Sequence, residues 1–188
     1  MMNRVIALIV ILSASCDAKK DGAPSGSCDK MTPFHGDKVA QTSQSPYQIT
    51  LDKTVYKTGE ILTVALSSKD PTETFKGYII QVRNGDGEKI SGFSNAGQPK
   101  SKLMTCSSAN DAVTHSDASP KSNVTFTFQA PATSKGDLKV YATVVKEYNT
   151  FWVKISSSVI TTSSSSVALP SFTAVFCLII CSFIFKKQ

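Results

Sequence analysis

With 188 residues, 41% apolar and 18% charged, the chain has room for one domain of ordinary size plus end segments, which argues against a two-domain enzyme. Charged residues fall below the roughly 25% of an average globular chain, and serine and threonine take their place, as in exported proteins. The net charge is +6, and with residues 1–18 and 167–188 set aside 17 basic side chains remain against 13 acidic ones. That mild balance, with no run of like charge beyond Lys19-Lys20, indicates no nucleic-acid partner.

Residues 1–18 carry Arg4, the apolar octet Val5 to Leu12, and the small residues Ser13-Ala14-Ser15-Cys16-Asp17-Ala18. This is the order of a secretory signal peptide, and its apolar core is too short to span a bilayer. Cleavage after Ser15, Cys16 or Ala18 satisfies the small-residue rule. Residues 19–27, with Gly22, Pro24 and Gly26, are expected to form a flexible linker. If Cys16 leaves with the signal and Cys177 and Cys181 lie in the apolar tail, Cys28 and Cys106 are the two cysteines of the mature domain. In an oxidising compartment these pair most simply with each other, and closing that loop is worth about 4 kcal/mol.

From Tyr47 to Ile155 the hydropathy alternates with period two, interrupted by turn residues. Tyr47 to Leu51 is a first short strand; Leu62, Val64 and Leu66 form one face of the next, introduced by the turn Lys57-Thr58-Gly59-Glu60. Tyr78 to Val82 is a continuous apolar run closed by Asn84-Gly85-Asp86-Gly87, the strongest turn signal in the chain. Lys89 to Phe93 and Leu103 to Cys106 are shorter candidates. Val124, Phe126 and Phe128 alternate with Thr125, Thr127 and Gln129; Leu138, Val140, Ala142 and Val144 alternate with Lys139, Tyr141 and Thr143. Phe151 to Ile155 ends the series. Seven or eight strands in this span predict an all-β, two-sheet antiparallel sandwich. The alternation also turns the sequon Asn123-Val124-Thr125 toward solvent, so Asn123 is a sterically accessible glycosylation site.

Ser156 to Ser166 contains nine Ser or Thr in eleven residues, which reads as a stalk open to O-glycosylation. Residues 167–185 are nineteen nearly uncharged residues, about 28 Å as a helix and close to one hydrocarbon thickness. They read as a transmembrane helix followed by a cytoplasmic tail, residues 186–188, giving a single-pass type I protein of the cell membrane. The alternative is a GPI-anchor signal, with small residues at Ser156-Ser157-Ser158, a polar spacer and an apolar tail, although the terminal Lys186 and Lys187 favour the helix. Both place the domain outside the cell.

Chemistry-bearing residues are few. His35 and His115 are the two histidines, and no nucleophile elbow, zinc-protease, phosphate-loop or dinucleotide motif is present. Thr114-His115-Ser116-Asp117 resembles a triad by composition only, since neighbours on a strand face opposite ways. The reading is therefore not an enzyme, with no cofactor. His35 follows Cys28 by seven residues and His115 follows Cys106 by nine. A disulfide would tether both segments and could bring the imidazoles together as a metal or pH-sensitive site supported by Asp29, Asp37, Asp111 or Asp117. The alternative is two loop fasteners bonded to backbone. Phe75, Tyr78, Phe93, Phe126, Phe128, Tyr141, Phe151 and Trp152 could line a cleft, although aromatics at strand spacing more commonly fill a core.

Ten short blocks run in a recognisable order: Cys28-Asp-Lys-Met31-Thr-Pro33-Phe-His35, Ser45-Pro46-Tyr47, Tyr56-Lys-Thr-Gly59, Phe75-Lys-Gly77-Tyr78-Ile-Ile-Gln81, Gly92-Phe93, Thr105-Cys106, Val113-Thr114-His115, Ala130-Pro131, Ala142-Thr143-Val144-Val145 and Phe151-Trp152. Over residues 28–155 this resembles a reeler (reelin amino-terminal) domain, here in a small membrane-anchored form. The resemblance implies an immunoglobulin-like β-sandwich with one disulfide. It is shared with reelin, the spondins, ferric-chelate-reductase-like membrane proteins and small secreted insect defence proteins. Phe128 stands where many members carry Trp. The reductases' cytochrome domain does not fit in 188 residues, so their redox activity is not carried over, and no ligand-contacting residue transfers. The function expected is a non-enzymatic cell-surface module binding extracellular matrix or cell-surface glycoconjugates. The alternatives are an innate-immune protein binding microbial surfaces and an accessory to metal reduction at the membrane.

Overall fold

The computed structural model describes residues 20–95 and 100–163. The expected signal peptide, transmembrane helix or anchor signal, and tail lie outside the described residues. Eleven strands follow one 3-10 turn, Ser25–Ser27, in the order β1 (Tyr47–Leu51), β2 (Val55–Tyr56), β3 (Ile61–Ser68), β4 (Gly77–Asn84), β5 (Phe93–Asn95), β6 (Ser101–Met104), β7 (Ala112–His115), β8 (Asn123–Gln129), β9 (Leu138–Glu147), β10 (Thr150–Ser156) and β11 (Thr161–Thr162). One antiparallel sheet has the order β1-β3-β8-β5 and a second the order β10-β9-β4-β7-β6; β11 and β2 form a two-stranded parallel pair.

The inward faces are the ones the alternation marks. Leu62, Val64 and Leu66 of β3 stand opposite Phe128, Phe126 and Val124 of β8. In the other sheet Tyr78, Ile80 and Val82 of β4 stand opposite Val144, Ala142 and Val140 of β9. All twelve belong to one buried cluster between the sheets, so cross-strand pairing and burial reinforce each other. Asn123 and Thr125 are exposed while Val124, Phe126 and Phe128 are buried, as the β8 pattern requires. Of the aromatics considered for a cleft, Phe75, Tyr78, Phe93, Phe126, Phe128 and Trp152 are in this core. Gly92 makes a close approach possible at the β5 end: a Cβ there would stand 2.2 Å from the Gln129 carbonyl oxygen.

Four boundaries differ from the sequence expectations. The segment expected at Lys89 to Phe93 begins with an isolated Lys89 bridge to Arg83, and the strand itself is Phe93–Asn95. The strand expected to reach Cys106 stops at Met104, where the chain turns toward β7. The residues expected as a free stalk begin inside the sandwich: Ser157 and Ile160 are buried, Ile160 and Leu138 exchange backbone hydrogen bonds, and Ser163 N–H donates to the Tyr56 carbonyl at 2.8 Å. Residues 20–27, expected as a flexible linker, are packed as well. Gly22 and Ser27 are buried, and Ala23 N–H donates to Thr114 Oγ1 of β7 at 2.8 Å.

That last difference shapes the molecule. Residues 20–35 form an arm laid across the outer face of the β4 sheet, which explains why β4 is buried on both faces from Gly77 to Val82. Met31, fully buried against Ile79 and Ala112, anchors a second small apolar cluster there. It holds φ at 56°, a left-handed conformation costing about 1–2 kcal/mol for a residue with a Cβ, which the burial of its side chain offsets.

Candidate functional site

The arm is fastened at the Cys28–Cys106 disulfide, with Cα atoms 5.6 Å apart. Two polar residues of β4 hold that knuckle to the sheet. Gln81, fully buried, donates from Nε2 to the Cys28 carbonyl at 2.9 Å, and its Oε1 accepts from Arg83 Nε and Nη2. Arg83 Nη2 in turn donates to the Cys28 and Asp29 carbonyls, each at 2.9 Å. On the other side of the bridge the buried Asp111 carboxylate accepts from the backbone N–H groups of Cys106, Ser107 and Ser108 at 2.7–2.8 Å. Charge-assisted bonds of this kind hold a turn firmly where an apolar core cannot reach it.

Between arm and sheet lies a cavity of about 680 Å³, within the range of small-molecule pockets. Its floor is the outer face of β4 and β9, at Gly77, Ile79, Thr143 and Val145, and the arm closes it with Ala23, Met31, Pro33 and Phe34. His35 and His115 both line it. They reach it from opposite sides of β4, because β7 carries His115 while the β9–β10 turn, on the far neighbour, holds His35.

Each imidazole is tied to backbone. His35 Nδ1 donates to the Tyr148 carbonyl at 2.6 Å, and its ring stacks on Tyr148 at 4.6 Å and meets Phe151 edge-on at 5.4 Å. Tyr78 N–H donates to His115 Nδ1 at 3.2 Å, and Thr114 Oγ1 donates to the Tyr78 carbonyl at 2.7 Å. Gly77 makes room for His115, since a Cβ there would stand 3.1 Å from Cε1. The supporting carboxylates are engaged elsewhere. Asp29 pairs with Lys89 and Asp37 with Lys38; Asp111 holds the turn after Cys106, and Asp117 bonds Ser119 and Lys121. Among the described residues no group of three His, Cys, Asp or Glu is placed to hold a metal. The two histidines are therefore brought to one cavity without the carboxylates expected to complete a metal site. Asp117 is likewise turned to Ser119 and Lys121, which dissolves the triad-like composition around His115.

Burial lowers the His35 pKa below its ordinary 6.5, against the opposing pull of the Tyr148 carbonyl. A depressed histidine pKa means that the unfolded chain takes up the proton first. The contribution of the neutral ring is then complete above pH 6.5 and is lost as pH falls from 6.5 through the folded-state value. The Tm is expected to drop on acidification from about pH 7 to about pH 5, with a shallower slope in His35→Phe. Equal slopes in a calorimetric pH series would assign the dependence to other groups.

Sequence reasoning found both histidines and both cysteines. It missed Arg83 and the fastening roles of Gln81 and of Asp111, the latter read only as a supporting carboxylate for a metal site, because those roles arise only when the arm is laid on the sheet; it also missed the exposed Phe34 and Tyr148 at the cavity.

A disulfide-closed β-sandwich with an arm strapped over one sheet defines an all-β module of a single fold type. The Reeler domain family matches residues 26–168, and the chain belongs to it. The chain is 35% identical to "Putative defense protein 3" of Antheraea mylitta over 87% of its own length and 99% of that protein's. It is 30% identical to ferric-chelate reductase 1 of Mus musculus, spanning only 27% of that protein. The human F-spondin reeler domain superposes on 68% of the chain and 96% of its own residues, with TM-score 0.57 and 18% identity, which shows the shared fold.

Proposed function

We propose that this chain is a non-enzymatic extracellular binding module of defence type, held at the cell surface by its C-terminal segment, whose ligands are glycoconjugates of microbial surfaces. The observation that carries the reading is the extent of the likeness. The chain aligns with 99% of the moth defence protein and with 27% of the mouse reductase, so the similarity runs over the whole of the first relative and over one portion of the second. The exported, disulfide-closed architecture suits work outside the cell, and the exposed Asn123 suits a glycosylated surface protein.

The test is adhesion. Cells expressing the full chain are expected to retain bacteria above untransfected cells, and soluble lipopolysaccharide or peptidoglycan is expected to compete. Retention of heparan sulfate or laminin with no retention of bacteria would replace this reading with binding of extracellular matrix. Release of the protein by phosphatidylinositol-specific phospholipase C would assign the lipid anchor, and retention would assign the transmembrane helix.

A further inference from the structure

The cavity between arm and sheet has a composition that a packing defect does not need. Its floor and arm walls are largely apolar, yet two buried imidazoles converge on it from opposite sides. Of the three charged side chains lining it, Lys76 and Glu147 neutralise each other at 2.7 Å. The third, Lys20, makes no ion pair among the described residues and leaves the lining cationic. Phe34, 63% exposed, stands at the arm side with Tyr148 at the opposite turn.

We infer that this cavity is a binding site for a small monocarboxylic acid with a compact apolar body. The apolar body replaces water against Met31, Ile79 and Val145, and the carboxylate lies toward Lys20. A cationic amphiphile of the same shape meets Lys20 unfavourably. A polysaccharide finds too little hydrogen-bonding surface in a largely apolar space of about 680 Å³. The inference does not rest on the defence reading, because it concerns a cavity ligand and not the surface that meets a microbe.

Since the chain contains two histidines and both line the cavity, labelled histidine reports it directly. Full-length protein carrying 13C-histidine is titrated with 4-phenylbutyrate, and with 4-phenylbutylammonium and 4-phenylbutanol as matched controls, at constant pH. Both imidazole Cε1 resonances are expected to shift and saturate with one dissociation constant, with the ammonium weakest. Lys20→Glu is expected to weaken the acid by about fivefold and leave the alcohol unchanged. Ala118→Trp, which fills the cavity from a loop, is expected to abolish the shifts; Val145→Phe fills it from the floor should the first variant fail to fold. Absence of shifts in the native protein, equal binding of acid and ammonium, or unchanged binding in a folded filled variant would overturn the proposal.

Discussion

Cys106→Ala is expected to lower stability by about 2–5 kcal/mol and to stop the chain from reaching the cell surface. The bridge joins residues 78 apart in sequence, so its loss frees a long loop in the unfolded chain. The native state loses a second, structural contribution. The arm contributes Met31 to the outer cluster and the Cys28 and Asp29 carbonyls to Gln81 and Arg83. An arm that undocks exposes the Met31 cluster to water and exchanges the bonds of the Gln81 amide and the Arg83 guanidinium for hydration. Surface staining and urea denaturation of the variant check both parts. Normal display with an unchanged midpoint would mean that the arm docks on packing alone. Cys28→Ala is expected to match Cys106→Ala, because either substitution opens the same loop.

Phe126→Ala is expected to cost about 3–5 kcal/mol, and Thr125→Ala close to nothing beyond loss of any glycan on Asn123. Phe126 is 1% exposed and is the ring that joins the two sheets. Its centroid lies 5.8 Å from Tyr78 of the β4 sheet and 6.4 Å from Phe93 beside it in the β8 sheet. Truncation leaves a cavity that neighbours fixed by two ladders fill poorly, whereas Thr125 faces outward. Urea midpoints of the two variants give the comparison, and similar losses would contradict the burial pattern of β8.

The strands most readily legible in the sequence are those with one wet face. β3 and β8 alternate because water lies on one side and the core on the other, and β9 alternates over Leu138 to Ala142 before the arm covers its outer face at Thr143. β7 was not legible as a strand: Ala112, Val113, Thr114 and His115 are all buried, so no alternation marks it, and its polar members are satisfied by Tyr78 and the arm. β10 breaks alternation for another reason, a register shift between Trp152 and Ile155 with Lys154 at φ 54°. Ahead of that shift Phe151 and Trp152 face opposite ways and are both buried, the first against His35 of the arm and the second in the core.

Glycine, proline and serine content suggested flexibility in 20–27 and 156–166, but local composition does not record what a distant sheet face offers. Ser27 is buried and donates to the Thr32 carbonyl within the arm, while Ile160 seals the edge of the core beside Leu138. The candidate site shows the same division. Cysteine count, read with the expectation of export, identified the pair, and spacing from those cysteines placed a histidine on each tethered segment.

The sequence by itself determined the alternating strands, their inward faces and the disulfide, because those follow from period-two hydropathy and from the pairing of two cysteines. Only the tertiary structure decided that the arm crosses the second sheet, that Gln81, Arg83 and Asp111 hold its knuckle, and that His35 and His115 share a cavity. Those arrangements depend on contacts between segments far apart in the chain, whose energies are set by mutual burial and not by any local pattern.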